Sequence, residues 1–139
     1  MPALSNSVRE FLQEPHFAVV ATIAPDGVPH QTVVWYGLDG DDIIFTAPQG
    51  TVKHQHLQRD PRLSICIEQG FRYVTLSGTV SLETDQAMLQ RDYLRLGERY
   101  RGAMQTPPPR PSAKASELMT RERVGIRLKV ERVISQGIE

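Results

Sequence analysis

The sequence has almost no cysteine, and Cys66 is its single thiol. One thiol cannot form an intramolecular disulfide, which predicts a chain that works in a reducing, cytoplasmic compartment. Cys66 lies in the apolar run 63–67, a pattern typical of a buried strand residue. We therefore interpret it as a structural thiol and not as a nucleophile.

Net charge is also lacking, because 16 Lys and Arg residues balance 16 Asp and Glu residues. A nucleic-acid-binding protein is normally basic, so the composition argues against a nucleic-acid partner. No apolar run approaches the roughly 20 residues of a membrane helix, and the residues near the N-terminus are too polar for a signal peptide. The sequence predicts neither a nucleic-acid nor a membrane partner.

The familiar signatures of catalytic and metal sites are missing as well. There is no Gly-x-Gly-x-x-Gly or Walker loop and no His-x-x-x-His pair. His54 and His56 are two residues apart on a predicted helix and point in different directions. We predict no metal site and assign no catalytic residue. Ser-His-Asp catalysis stays open, although no Gly-x-Ser-x-Gly elbow is present.

Alternating apolar residues are abundant and predict a mainly β (α+β) protein. The 139 residues argue for a single domain. Six strands are predicted at 17–23, 30–36, 42–47, 63–68, 73–83 and 123–134, with the first buried on both faces and the first three forming a meander. Short flanking helices are predicted at 4–14, 51–59 and 85–99, the last two capped by Thr51 and Thr84. We predict a six-stranded antiparallel barrel, with a sandwich as the alternative.

Two local features refine this organisation. Gly78 falls on the apolar face of the fifth strand and predicts a bulge or a bend there. Four prolines within 106–112 predict a loop, and 113–121 is compatible with another short helix. Too little chain follows that loop to fold on its own, so we interpret it as a loop within the domain.

The segment 46–62 carries the strongest functional signal. It leaves a strand, turns at Gly50 and starts a helix at Thr51, with Lys53 in the first turn and Arg59 and Arg62 behind it. Free amide groups, a hydroxyl and cations at one helix end are typical of a phosphate site. An ordinary capped surface helix with solvated cations explains the same local pattern equally well.

Aromatic residues at strand ends give a weaker signal. Trp35 and Tyr36 end the second strand, and Tyr73 begins the fifth. Flat side chains in such places can flank a planar ring, although core packing alone explains them better. Alternation puts His30, Thr32, Val34 and Tyr36 on one face of the second strand and Gln31, Val33 and Trp35 on the other, without saying which face is inward.

Five blocks of sequence, 18–23, 26–30, 51–54, 57–62 and 76–80, resemble in residues and spacing the split-barrel flavin and deazaflavin oxidoreductases. These include the pyridoxamine 5′-phosphate oxidase-like proteins. The resemblance covers nearly the whole chain and implies an FMN-binding-like split barrel. The short length, the Thr-x-Lys helix start and the last strand are most similar to the small group that uses the deazaflavin coenzyme F-420.

The resemblance implies a homodimer with two cofactor sites at the subunit interface. It implies a cofactor phosphate over Thr51 and Lys53 near Arg59, a ring along strands two and three, and contacts from the partner around Arg72 and Tyr73. The cofactor-binding residues so implied are Gln31, Thr32, Val33, Thr46, Ala47, Gln49, Gly50, Thr51, Lys53, Arg59, Arg72 and Tyr73.

The implied reaction is hydride transfer from reduced F-420 to a small-molecule electron acceptor. Such chemistry mainly needs two aligned atoms, which agrees with the scarcity of acid–base residues. Two alternatives stay open. One is an FMN-dependent oxidoreductase on the same barrel, and the other is a non-catalytic protein that binds flavin, deazaflavin or haem.

Overall fold

The computed structural model describes residues 4–101 and 122–138. Three helices and seven strands follow in the order α1 Asn6–Gln13, β1 Ala18–Ile23, β2 Pro29–Val34, β3 Gly37–Asp39, β4 Asp42–Pro48, α2 Val52–Arg59, β5 Arg62–Gln69, β6 Arg72–Glu83, α3 Gln86–Arg101 and β7 Arg123–Gln136. The predicted loop at 106–112 and helix at 113–121 lie outside the described residues. In the described part, no helix is both long and apolar enough to cross a bilayer.

The strands form one antiparallel sheet in the order β2-β1-β5-β6-β7-β4-β3. This is the predicted split-barrel architecture, with seven strands where six were predicted. The difference arises because the predicted strand 30–36 breaks after Val34. There the amide of Tyr36 donates to the Tyr100 hydroxyl instead of to a neighbouring strand (3.2 Å). The first predicted hairpin exists, because β2 pairs with β1. The second does not, because β4 pairs with the short strand β3, and β2 and β3 lie at the two ends of the strand order; the predicted three-stranded meander is therefore wrong.

The core fills the inner face of this sheet. Ala18 and Val20 of β1 are fully buried, whereas Val19 between them is 37% exposed, so the prediction that β1 is buried on both faces is wrong. On β2 the face that carries Thr32 and Val34 points inward. Cys66 belongs to the outward face of β5 and is half-buried, which corrects the prediction of a buried thiol.

Gly78 is the point at which the two longest strands change register. Ser77 pairs with Arg132 and Gly78 with Val130, so one residue of β7 is extra, and the predicted bulge is confirmed. A Cβ atom at Gly78 would lie 2.0 Å from the carbonyl oxygen of Lys129. Only glycine permits this backbone approach.

Helix α3 lies across the outside of β4 and β7. Leu89, Leu96 and Tyr100 recur at helical spacing and form its buried stripe. The predicted cap at Thr84 is wrong, because the carboxylate of Asp85 accepts from the amides of Ala87 (3.1 Å) and Met88 (3.3 Å). The helix starts one residue later than predicted, and Asp85 takes the capping position.

Candidate functional site

The candidate site begins at the turn that joins the end of β4 to the start of α2. Gly50 adopts a positive φ of 81°, and its amide donates to Nδ1 of His54 (3.0 Å). Thr51 occupies the N-cap position without capping, because its hydroxyl donates to the carbonyl of Pro48 (3.0 Å). The predicted side-chain cap is therefore wrong, and the Thr51 hydroxyl leaves the first helix amides to other acceptors.

Two cations line one cavity beside this turn. Lys53 comes from the first turn of α2, and Arg123 begins β7, which pairs with β4. Burial lowers the pKa of Lys53, and the charge of Arg123 lowers it further. Burial also lowers the pKa of Arg123. Each cation therefore lies where its charged form is poorly solvated.

Neither cation has an acidic partner within residues 4–101 and 122–138. The ion pairs there involve Arg9, His16, Arg62, Arg72 and Arg127. Half-buried charges in proteins are normally paired. The arrangement of Lys53 and Arg123 thus has the electrostatics of an anion site.

Arg123 is held in place by neighbours on β4 and α3. Its Nε donates to the Thr46 hydroxyl (2.9 Å), and its guanidinium lies 4.2 Å from the ring centroid of Tyr93. The side-chain amide of Gln86 accepts from the backbone amide of Arg123 (3.1 Å) and donates to its carbonyl (3.0 Å). Helix α3, which carries Gln86 and Tyr93, therefore positions the second cation of the site.

The remaining wall of this cavity is apolar and aromatic. We call the whole space the cation cavity; it has a volume of about 310 Å³, and its other walls include Phe17, Val33, Trp35, Ala47 and Leu96. The indole of Trp35 stacks on Tyr100 with 5.0 Å between centroids and 6° between planes. A cavity lined by two cations and by apolar and aromatic side chains suits a planar ligand with an anionic tail.

The structure brings some of the predicted site residues to this cavity. Val33, Thr46, Ala47 and Lys53 line it. Gln49, Gly50 and Thr51 form the adjacent turn, in which the side-chain amide of Gln49 donates to the carbonyl of Arg123 (3.3 Å). Gln31 and Thr32 lie on β2, where Gln31 is exposed and Thr32 points inward, away from the cavity.

Other predicted residues lie elsewhere in the chain. Arg59 ends α2 and donates to the carbonyl of Ile23. Arg62 hydrogen-bonds Asp60 and lowers the pKa of that carboxyl to about 2. Arg72 contacts Gln69 and Glu14, and the hydroxyl of Tyr73 donates to the side chain of Gln136 (3.2 Å). The placement of Arg72 and Tyr73 in a partner's site stays a prediction.

Arg123 and Tyr93 are residues of the candidate site that the sequence interpretation missed. No local motif surrounds either residue. Arg123 reaches the cavity through the pairing of β4 with the last strand, which sets Pro48 opposite Arg123 and leaves no local signal in the sequence. Among the described residues, no group of three His, Cys, Asp or Glu side chains could hold a metal ion. His56 is buried and hydrogen-bonds the hydroxyl of Thr22 (2.9 Å).

Comparisons with known proteins agree with this architecture. The chain is 28% identical over 136 residues to an F420H(2)-dependent biliverdin reductase of Mycobacterium tuberculosis (strain CDC 1551 / Oshkosh), covering 96% of this chain and 89% of the relative. The structure of this chain is similar to that of an F420 reductase, with a TM-score of 0.76, 23% identity, and coverage of 96% of this chain and 100% of that one.

A second solved structure is a conserved hypothetical protein from Mycobacterium tuberculosis, with a TM-score of 0.76, 29% identity, and coverage of 95% of this chain and 84% of that one. The family model described as pyridoxamine 5′-phosphate oxidase matches residues 4–137. The split barrel, the turn into α2 and this match over nearly the whole sequence place the chain in the pyridoxamine 5′-phosphate oxidase family.

Proposed function

We propose that the chain binds the deazaflavin coenzyme F-420 in the cation cavity and transfers a hydride from its reduced form to a small organic acceptor. Family membership and the F420H(2)-dependent relative support an oxidoreductase of flavin or deazaflavin type. The observation that carries the proposal is the pair Lys53 and Arg123, two half-buried cations without an acidic partner among residues 4–101 and 122–138.

The residues of the cavity fit a phosphate-bearing cofactor. A phosphate would pair with both cations and accept from the first amides of α2, which the Thr51 hydroxyl does not engage. The guanidinium of Arg123 can hold two phosphate oxygens at once, whereas the ammonium of Lys53 acts as a point charge. Val33 and Trp35 offer the apolar surface on which a flat ring would rest.

The chain's own contribution is binding and orientation. The hydride chemistry belongs to the cofactor. Lys53 and Arg123 fix the anionic tail, the Trp35 side of the cavity orients the ring, and the apolar walls exclude water from the reacting face. No acid or base is required of the cavity walls for this role.

Titration with F-420, followed by its fluorescence, tests the site. We expect quenching in the native chain, and we expect Lys53→Ala to weaken binding by about 1–3 kcal/mol because it removes one charge-assisted contact. Arg62→Ala is the matched control, since Arg62 is an exposed cation that pairs with Asp60. Unchanged affinity in Lys53→Ala would show that the phosphate binds elsewhere.

FMN on the same barrel is the second candidate, and the oxidase family that the chain matches supports it. Both cofactors carry a phosphate, so Lys53 and Arg123 would serve either one. A yellow purified protein with a flavin spectrum favours FMN, whereas a colourless protein that binds added F-420 favours the deazaflavin. If bound reduced F-420 is oxidised by no quinone, tetrapyrrole or nitro compound, a binding-only role replaces the reductase.

We also propose that two copies associate through the outer face of the sheet. One row of outward residues crosses five strands in register, from Val33 through Val19, Cys66 and Thr75 to Ile134. Val33, Val19 and Ile134 are 65%, 37% and 53% exposed in the single chain. A mainly apolar row on a sheet face, interrupted here only by Thr75, is typical of a surface that a partner covers.

This face also supports the implied contribution of a second copy to the site. Tyr73 lies on β6 two residues before Thr75, so it belongs to the same outward face. We expect the native chain to sediment as a dimer and Val19→Asp to sediment as a monomer. Val28→Asp is the control, because Val28 is 57% exposed in the turn between β1 and β2 and outside the row. A native monomer would reject the shared site while leaving the cation cavity in place.

A further inference from the structure

A second cavity lies on the other flank of α3, between this helix and the sheet. Its volume is about 130 Å³, and its apolar walls are formed by Ile44 of β4 and by Met88, Leu89 and Leu96 of α3. Gly125 of β7 lies at its base, where a Cβ atom would be 2.5 Å from Cδ2 of Leu89. The glycine therefore brings helix and sheet close together and defines one end of the space.

The charged groups of this second cavity differ in their pairing. Arg127 donates to Asp42 (2.9 Å) and Asp39 (2.5 Å), and the carboxylate of Glu83 accepts from the amides of Thr84 (3.1 Å) and Asp85 (2.9 Å). These groups have partners already. Their charges sum to a negative value, because the single cation Arg127 is outnumbered by the carboxylates of Asp39, Asp42 and Glu83.

Asp92 is the exception among these groups. It lines the cavity from α3, is half-buried, and has no hydrogen bond or ion pair within residues 4–101 and 122–138. A carboxylate beside an apolar wall attracts a cation more strongly than the same carboxylate in bulk water, because the surroundings screen less. An anion would meet Asp92 and Glu83 and be repelled.

We propose that this second cavity is a binding site for a small hydrophobic cation, an aryl or alkyl ammonium whose apolar part fills the space and whose ammonium group pairs with Asp92. Size supports the assignment: an apolar protein cavity of about 150 Å³ holds one benzene molecule, so 130 Å³ suits a single ring or a branched alkyl group. Charge supports it as well, since Asp92, the one charged group on the wall without a partner among the described residues, is an acid.

Three probes of one shape test the proposal on the full chain. Benzylammonium, benzyl alcohol and benzoate share a ring and differ in charge. By calorimetry and NMR titration at neutral pH, we expect saturable one-to-one binding of benzylammonium, about tenfold weaker binding of benzyl alcohol, and no binding of benzoate. Equal affinity for the amine and the alcohol, or binding of benzoate, would overturn the proposal.

Two variants locate the binding site. Asp92→Asn keeps the shape of the side chain, and we expect it to reduce benzylammonium affinity about tenfold, to the level of the alcohol. Ser81→Leu places a larger side chain in the cavity wall and should abolish binding. Thr79→Leu is its control, because Thr79 lies on the same face of β6 outside this cavity. Unchanged amine binding in both Asp92→Asn and Ser81→Leu would place the amine elsewhere and reject the site.

The cofactor site gives an independent control. Lys53→Ala alters the cation cavity and not the walls of the second cavity, so benzylammonium should bind this variant as it binds the native chain. Loss of amine binding in Lys53→Ala would show that the amine occupies the cation cavity, which would also overturn the proposal. The result does not depend on whether F-420 binds.

Discussion

Arg123 and Arg127 lie four residues apart on the same outward face of β7, and their surroundings are opposite. Arg127 donates to two carboxylates, Asp39 and Asp42, and these hydrogen bonds raise its pKa. Arg123 has a hydroxyl and an aromatic ring as neighbours, and burial lowers its pKa. A cation whose counter-charges come from its own chain stabilises the fold, whereas a half-buried cation without one is suited to a ligand.

Charge reversal at the two arginines should give the largest difference in F-420 affinity between two variants. Arg123→Glu places a carboxylate where the cofactor phosphate is proposed to bind, and we expect F-420 affinity to fall by more than about 100-fold. Arg127→Glu should change it by less than about twofold, because Arg127 lies outside the cation cavity. Fluorescence titration of both variants measures this, and equal losses would remove the distinction between the two arginines.

Stability should respond in opposite directions to removal of the two kinds of cation. Lys53→Met relieves a desolvated charge, so we expect the free energy of unfolding at neutral pH to rise by about 0.5–1 kcal/mol, partial exposure limiting the gain. Arg127→Met loses two exposed ion pairs of about 0.2–1 kcal/mol each and should be destabilised. Urea titration of the ligand-free proteins measures both. A loss of stability in Lys53→Met would show that the Lys53 charge is compensated within the chain.

The pH dependence of the free energy of unfolding should also show that the Lys53 charge is desolvated in the folded chain. Burial lowers the pKa of Lys53 below its ordinary 10.5. At pH values between the pKa of the folded chain and that of the unfolded chain, Lys53 is therefore protonated in the unfolded chain and deprotonated in the folded chain. The unfolded state therefore binds more protons there, and stability rises with pH across that window. Lys53→Met should lack this rise, as measured by urea titrations at increasing pH. A rise of equal size in the variant would assign it to another group.

Substitution of Tyr93 should give the smallest change in F-420 affinity. Tyr93→Leu removes the ring beside Arg123 and should weaken F-420 binding by about 0.5–1 kcal/mol, since the guanidinium then loses its preferred position. Tyr93→Phe keeps the ring and should bind as the native chain does. A similar loss in Tyr93→Phe would indicate that the hydroxyl, and not the ring face, matters.

Much of the fold could be predicted because its determinants are local. Alternating apolar residues predicted the strands β6 and β7, and Gly78 predicted the bulge. The break after Val34 could not be predicted, because it depends on Tyr100, which is 64 residues away from Tyr36. The cap of α3 was misassigned because Thr84 and Asp85 are both capable caps, and only the position of the helix start separates them.

The candidate site was predictable only on its β4–α2 side. The Gly50–Lys53 turn is contiguous in sequence, so its pattern was visible. Arg123 joins the cavity through the pairing of β4 with β7, and Tyr93 joins it through the packing of α3 on those strands. Contacts between distant parts of the chain leave no local motif, and this is why one of the two cations was missed.

The two residues between β2 and β3, Trp35 and Tyr36, carry the chain from one edge of the sheet to the other. Tyr100 accepts from the amide of Tyr36 and donates to the carbonyl of His16, and Arg99 donates to the carbonyl of Leu12. The last turn of α3 thus holds the connection between β2 and β3 in place, while an earlier turn of the same helix positions Arg123 in the proposed anion site. Ligand binding at that site should consequently slow amide hydrogen exchange in the connection between β2 and β3. Opening of the barrel at this connection and release of the ligand would then be a single cooperative event.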